Sequence, residues 1–297
     1  MPSTHVRTFR VRSYECDAYG HVNHANYLRY AQEVAFDASA AAGYDLAHYQ
    51  AMDRSWLIRD TEIEYLRPLR YGDTVQVTTW VADFRQVRSR RAYEFRRAGS
   101  AELVARASSD WAFLELSTGR PTVIPVEMKT AFFPEGVPAS GPPRERFPAV
   151  PPPPFGAFRQ RRRVEWRDLD TAGHVNNAVY LSYVEDCGMQ ATASHGWSIG
   201  RMEAEGFAVV ARHHRIEYQQ SAVLDDELEV TTWLSDVTGS TATRHTTMIR
   251  PRDGALTSRA RTLHIWIDLR TGRPTPIPAA FLADFAAGIA SGAPLKK

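Results

Sequence analysis

Twice in this chain an aspartate is followed by glycine at the third position, histidine at the fourth and asparagine at the sixth. The stretches are DAYGHVN from Asp17 and DTAGHVN from Asp170. A carboxylate and an imidazole at this spacing can share proton-transfer work. The carboxylate would be base or nucleophile, and the imidazole an orienting group or an acid. Gly20 and Gly173 give the backbone freedom to fold each aspartate back toward the helix after it. An aspartate ahead of a helix is also an ordinary cap or turn residue, so the spacing alone supports both readings. Cys16 beside Asp17 suggests a thiolate nucleophile, but Leu169 occupies that position in the second copy while Asp and His stay. His21 and His24 have the HxxH spacing of some metal sites, whereas the second copy reads HVNN from His174. Neither a metal nor a cofactor is expected.

The elements that position these residues are themselves duplicated. Gly20 maps onto Gly173 at an offset of 153 residues. The same offset carries Ile63-Glu64-Tyr65 onto Ile216-Glu217-Tyr218, VTTW at 77–80 onto 230–233, and TGRP at 118–121 onto 271–274. This is a tandem duplication of a domain of about 130 residues. Between the copies, PEGVPASGPPRERFPAVPPPPFG holds nine of the eighteen prolines and cannot be a regular helix or central strand. The expected organisation is domain one at 1–133, a proline-rich linker at 134–157, and domain two at 158–297. Extended at about 3.1 Å per residue, the linker would reach ~60 Å, ample to lead around one domain and let the other dock beside it.

Within copy one, HVRTFRVRSY reads as a first strand and residues 24–42 as one helix stopped by Gly43. Leu28, Ala31, Ala35 and Ala38 fall at helical spacing and give it a small-residue face. Four runs of β-formers follow at 56–65, 74–84, 88–97 and 103–116. Copy two repeats this with a helix at 179–194 and strands at 207–218, 227–236, 241–249 and 257–269. One helix followed by four consecutive strands cannot make alternating βαβ units. The expected class is α+β, an antiparallel sheet wrapped over one long helix, twice.

A hydrophobic fraction of 43% with 24% charged residues is ordinary for a globular protein. No apolar run approaches the roughly 20 residues that span a bilayer, and the start is polar, so no membrane association and a cytoplasmic location are expected. Two cysteines exclude a disulfide framework, and a net charge of +2 gives no case for nucleic acid.

YECDAYGHVNHANYLRY resembles the signature of 4-hydroxybenzoyl-CoA thioesterases, and EWRDLDTAGHVNNAVYL resembles that of acyl-ACP thioesterases. Both belong to the hotdog thioesterases, and the acyl-ACP enzymes are themselves two hotdog repeats in one chain. The resemblance implies two tandem hotdog domains paired within the chain, with sites built from both, and hydrolysis of an acyl-CoA or acyl-ACP thioester in fatty acid metabolism. It implies Asp17 and Asp170 as nucleophile or general base, and the backbone N–H of His24 or Asn177 as oxyanion donor. His21 and His174 would orient the aspartate, hold a water or protonate the leaving thiolate. Asn23, Asn176, Tyr27 and Tyr180 would lie beside the substrate, the asparagines also suiting caps and the tyrosines packing. The acyl-ACP pattern has asparagine two residues after its aspartate, whereas Tyr19 and Ala172 stand here. A thioester is already activated, so a carboxylate and oxyanion donors suffice without a serine triad.

Glu33, Glu185 and Asp186 sit further along the helices, where another hotdog branch places its carboxylate; a salt-bridged face explains them equally well. Arginines at 85–97 and 159–163 suit coenzyme A phosphates or an acidic carrier protein, or simply a solvated strand face. Two rival readings are a non-catalytic acyl-thioester binder and a hotdog dehydratase or hydratase. The chain lacks the GDxNPIH and HFPGxPxxPG signatures of the latter. Higher oligomers are left open.

Overall fold

The repeat folds twice into the same succession of elements in the computed structural model, which describes residues 1–100, 102–138 and 143–290. The chain divides into two units, the first Met1–Arg146 and the second from Phe147 onward. That border lies inside the proline-rich segment, part of which, 139–142, falls outside the described residues.

In the first unit β1 (Thr4–Arg10) leads through a 3₁₀ turn, Ser13–Glu15, into α1 (His24–Ala41) and the short α2 (Leu46–Ala51). Then come β2 (Arg54–Tyr65), β3 (Thr74–Phe84), β4 (Arg88–Arg97), β5 (Leu103–Glu115) and α3 (Val126–Phe132). The strands pair antiparallel in the order β1-β3-β4-β5-β2. Alternation sets which face is covered: Val75, Val77, Thr79 and Val81 of β3 are buried while their neighbours are partly open. Leu28, Ala31, Ala35 and Ala38 form the buried stripe of α1, small enough to bring the helix close to the sheet. Gly43, at φ +87°, ends the helix in the left-handed conformation that other residues resist.

The second unit repeats this as β6 (Phe158–Arg163), a 3₁₀ turn Trp166–Asp168, α4 (Asn177–Ser194), α5 (Ile199–Ala204), β7 (Phe207–Tyr218), β8 (Glu227–Thr238), β9 (Thr241–Arg250), β10 (Ala255–Asp268) and α6 (Ala279–Phe285). Its antiparallel order is β7-β10-β9-β8-β6.

Three expectations need correction. The first strand stops at Arg10 rather than Tyr14, because the Glu15 carboxylate accepts the Arg12 N–H at 2.7 Å and closes the chain into a turn. The second long helix starts at Asn177 rather than Val179, two residues earlier, because Asn176 caps it. Each unit also has two short helices that six or seven residues of text cannot announce. Packing holds them: Tyr49, Met128 and Phe132 join Phe84 and Phe113 in one cluster. In the second unit Met202 and Phe281 join Trp197 and Trp266.

The proline-rich segment is anchored by side chains. Arg144 lies between Asp83, at 3.2 Å, and Asp110, at 3.5 Å. Further on, the Phe147 ring lies under the Arg259 guanidinium, 4.6 Å from it. No helix among the described residues is long and apolar enough to cross a membrane.

Candidate active site

The two aspartates occupy matching turns. Asp17 Oδ1 accepts the Tyr19 N–H at 2.9 Å and the His21 N–H at 3.2 Å. The backbone closes the same loop, with Asp17 N–H to His21 O at 2.8 Å and Gly20 N–H to Asp17 O at 3.0 Å. Asp170 Oδ1 accepts the Ala172 N–H at 2.9 Å, and its own N–H donates to His174 O at 2.9 Å. Gly20 and Gly173 take φ of +71° and +75°, which these turns require. Both carboxylates are partly exposed, and neither Oδ2 accepts a hydrogen bond among the described residues. One oxygen of each aspartate is held by the turn, and the other is left to the solvent side.

The asparagines are the caps. Asn23 Oδ1 accepts the Ala25 N–H at 3.0 Å, and Asn176 Oδ1 accepts the Ala178 N–H at 2.9 Å. Each cap satisfies the second helical residue, so the N–H of the first has no acceptor within the helix by geometry. The positive end of an 18-residue helix stands at that point in each repeat.

His21 is bridged through its backbone to Arg70, and His174 to Val223. Burial, then the Arg70 charge, hold the His21 imidazole below its ordinary pKa against the opposing pull of Asp17. His21 Nε2 is buried with no hydrogen-bond partner among the described residues. Tyr27 and Tyr180 are each 3% exposed. Tyr27 packs edge-on against Tyr65 and Phe95, and the Tyr180 hydroxyl accepts the Ala222 N–H at 3.0 Å. Burial raises the pKa of both phenols, that of Tyr180 to about 12, so both stay protonated at neutral pH.

Glu33 and Asp186 are spent elsewhere, Glu33 beside Arg7 at 3.4 Å and Asp186 on Arg162 at 2.8 Å. Much of the arginine cluster is paired as well. Arg90 meets Asp110 at 2.9 Å, Arg96 meets Glu94 at 2.9 Å, Arg97 meets Asp73, and Arg163 meets Asp225 at 2.9 Å.

Reasoning from the motif overlooked one pair of carboxylates. Glu15 and Asp168 are each only 7% exposed. Glu15 accepts the Tyr30 hydroxyl at 2.7 Å, and its carbonyl takes the Asn23 N–H at 2.9 Å and the Asn26 side chain at 2.7 Å. Asp168 accepts the Tyr183 hydroxyl at 2.6 Å and the Glu165 N–H at 2.8 Å, and its carbonyl takes the Asn176 N–H at 2.9 Å. These residues tie the start of the aspartate loop to the first turns of the helix. The 153-residue offset held the signal, since it maps acid on acid and Tyr30 on Tyr183.

A family model described as the thioesterase-like superfamily matches the chain twice, over residues 11–132 and 164–285. The chain belongs to that superfamily. Among curated relatives, a palmitoyl-acyl carrier protein thioesterase of Arabidopsis thaliana is 24% identical over 270 residues, 86% of this chain and 62% of the relative. A chloroplastic acyl-[acyl-carrier-protein] hydrolase of Cuphea viscosissima is 26% identical over 187 residues, 60% of this chain and 45% of its own. The chain thus spans about half the length of the first curated relatives it matches. An acyl-CoA thioester hydrolase of Escherichia coli is 30% identical over 128 residues, 43% of this chain and 95% of the relative. In three dimensions a 12:0-ACP thioesterase of Umbellularia californica aligns with a TM-score of 0.72 at 20% identity, covering 92% of this chain and 94% of the other. At that identity the match shows the fold: two tandem hotdog domains, each an antiparallel sheet with one long helix.

Proposed function

We propose that this thioesterase-superfamily chain hydrolyses acyl-CoA or acyl-ACP thioesters, with Asp17 and Asp170 as the reacting carboxylates. The observation that carries the reading is the repeated turn. One oxygen of Asp17 is fixed by two backbone N–H groups and one oxygen of Asp170 by one. In each copy the other oxygen is left unbonded among the described residues, ahead of a capped 18-residue helix. The names borne by relatives supply the substrate class.

Oδ2 either attacks the thioester carbonyl or takes a proton from the attacking water. The oxyanion that develops is met by the N–H of His24 or Asn177 at the helix start, where preorganised dipoles stabilise charge most. The C–S bond then breaks and the thiolate leaves and is protonated. With water as the attacker the free acid forms at once; with Oδ2 as the attacker water opens the acyl-aspartyl anhydride, releasing the acid and restoring the carboxylate. His21, kept neutral by burial and Arg70, acts as a hydrogen-bonding group near Asp17 rather than as a standing cation. His174 takes the same loop position in the second copy.

The test is thiol release from short, aromatic and long-chain acyl-CoAs and from acyl-ACP, with the Asp17→Asn/Asp170→Asn double variant in parallel. Turnover lost by about 10²-fold or more in the double variant supports carboxylate catalysis. Turnover that survives it overturns the assignment of these residues, and no turnover by the unaltered chain on any thioester overturns the activity.

A further inference from the structure

Away from the aspartate loops, the first unit holds an arginine where its sheet should be apolar. Arg91 lies on the inward face of β4, in line with Tyr93 and Phe95, and is only 6% exposed. Among the described residues it forms no ion pair. Its one hydrogen bond is a long one to Thr79 Oγ1 at 3.4 Å, and its guanidinium rests 5.4 Å from the centre of the Phe132 ring. A buried cation without a counter-charge is costly unless something supplies one. Burial holds its pKa below the usual arginine value.

Arg91 also lines a cavity of about 230 Å³. The walls include Ala38, Ala41 and Ala42 from the last turns of α1 and Phe132 from α3, with Ser3 and His5 of the N-terminal segment contributing polar groups. Ala38 lies fourteen residues beyond His24, or about 21 Å along the helix axis from the end that faces the aspartate loop. The cavity is smaller than the roughly 300–1,000 Å³ of pockets for drug-sized ligands, so its occupant is of fragment size.

The second repeat gives the duplicate arginine different surroundings. Arg244 is the duplicate of Arg91 and equally buried at 7% exposed. There, the arginine stem lies over Gly188, with Arg244 Cδ 3.4 Å from where a Cβ would stand. Thr192 Oγ1 accepts from its Nη2 at 3.4 Å. In the first repeat those two helix positions are Ala35 and Ser39, and the Ser39 hydroxyl is engaged with Tyr49. The aromatic ring is also covered differently. His195 lies on Phe285 with ring centres 4.3 Å apart, whereas Ala42 stands opposite Phe132 in the first repeat. At three helix-side positions the repeats thus differ, and Arg91 lines a pocket where Arg244 lies against the helix.

We propose that this cavity is a binding site for a small carboxylate with an apolar body, its carboxylate on the Arg91 guanidinium and its body against Phe132 and the α1 alanines. Beside the polar groups of Ser3 and His5, the alanine and phenylalanine walls suit a short alkyl chain or one ring. A guanidinium pairs with a planar carboxylate through two parallel N–H donors, a geometry no neutral amide reproduces.

The test is calorimetric titration of the full chain with hexanoate and benzoate, against hexanamide and benzamide. Two variants accompany it. Arg91→Met removes the cation at similar volume, a change buried ion sites often tolerate. Ala42→His keeps Arg91 and imports the side chain that covers the ring in the second repeat. The Asp17→Asn/Asp170→Asn variant separates this site from binding at the aspartate loops. The expected result is that the acids bind at least about tenfold more tightly than the amides, as a charge-assisted hydrogen bond of about 1.5–3 kcal/mol implies. Both site variants should lose that preference, and the aspartate variant should keep it. Acids that bind no better than amides, or an unchanged preference in Ala42→His, would overturn the proposal even if Arg91→Met failed to fold.

Discussion

Tyr183→Phe isolates the buried anchor beneath the second aspartate loop. The Tyr183 side chain is fully buried, and its hydroxyl lies 2.6 Å from Asp168 Oδ2 in surroundings that leave Asp168 only 7% exposed. Removing the hydroxyl takes one donor from that oxygen and leaves it the Glu165 N–H at 2.8 Å. Water cannot replace the donor without opening the packing of α4. A hydrogen bond to a charged acceptor contributes about 1.5–3 kcal/mol. In a domain of this size each kcal/mol moves the midpoint by about 2–4 °C, so the expected loss is about 3–12 °C. The ring keeps its contacts with the Arg162 guanidinium, 4.1 Å from its centre, and with the Tyr180 ring. Calorimetry of the single variants and of Tyr183→Phe/Asp168→Asn would measure the coupling, which should exceed about 0.5 kcal/mol for groups in direct contact. Thiol release at 25 °C, where each variant remains folded, reads whether the loop has loosened. Because the Asp168 carbonyl holds the Asn176 N–H at 2.9 Å, turnover should fall along with stability. A midpoint within about 1 °C of the unaltered chain, with additive double-variant energies, would refute the anchoring role.

Three further expectations each rest on a single feature. Gly173→Ala places a side chain at φ +75° where nothing else crowds it, so the cost is strain alone, about 1–2 kcal/mol, and Gly173→Asn should recover part of it in the same unfolding assay. Burial lowers the His245 pKa to about 4 from 6.5, so the unfolded chain binds the extra proton first. Stability present above pH 6.5 is then lost as pH falls toward 4, and denaturant unfolding of His245→Asn should lack that slope. Single-turnover hydrolysis in ¹⁸O-water separates the two roles of the aspartates. Label in the Asp17 or Asp170 peptide indicates attack by the carboxylate. Label confined to the product acid indicates a general base once hydroxylamine also fails to trap an acyl-aspartyl anhydride, because water opening that anhydride at its acyl carbonyl would label only the acid.

The duplication was legible in the letters because a tandem copy preserves spacing, and four matches at one offset need no structure to be seen. The long helices and the strands were legible too, since small-residue spacing and runs of β-formers are local properties of the chain. The aspartate turn was half legible. Glycine and asparagine marked a turn and a cap, but which aspartate oxygen the backbone would take, and which it would leave, depends on how the loop closes. Glu15 and Asp168 drew no reading as acids from the sequence because burial is no property of a residue's own letter; each is buried by the long helix laid across it. Arg91 read as one of a cluster suited to phosphates, a carrier protein or a solvated strand face for the same reason. The sequence puts an arginine at the same place in both repeats, and only tertiary packing turned both inward and made their surroundings differ. Arg244 lies over Gly188 of α4 and donates to Thr192, while Arg91 lines a cavity together with Ala38 and Ala42. Short-range spacing is encoded along the chain, but the space around a buried charge is set by what distant segments place there.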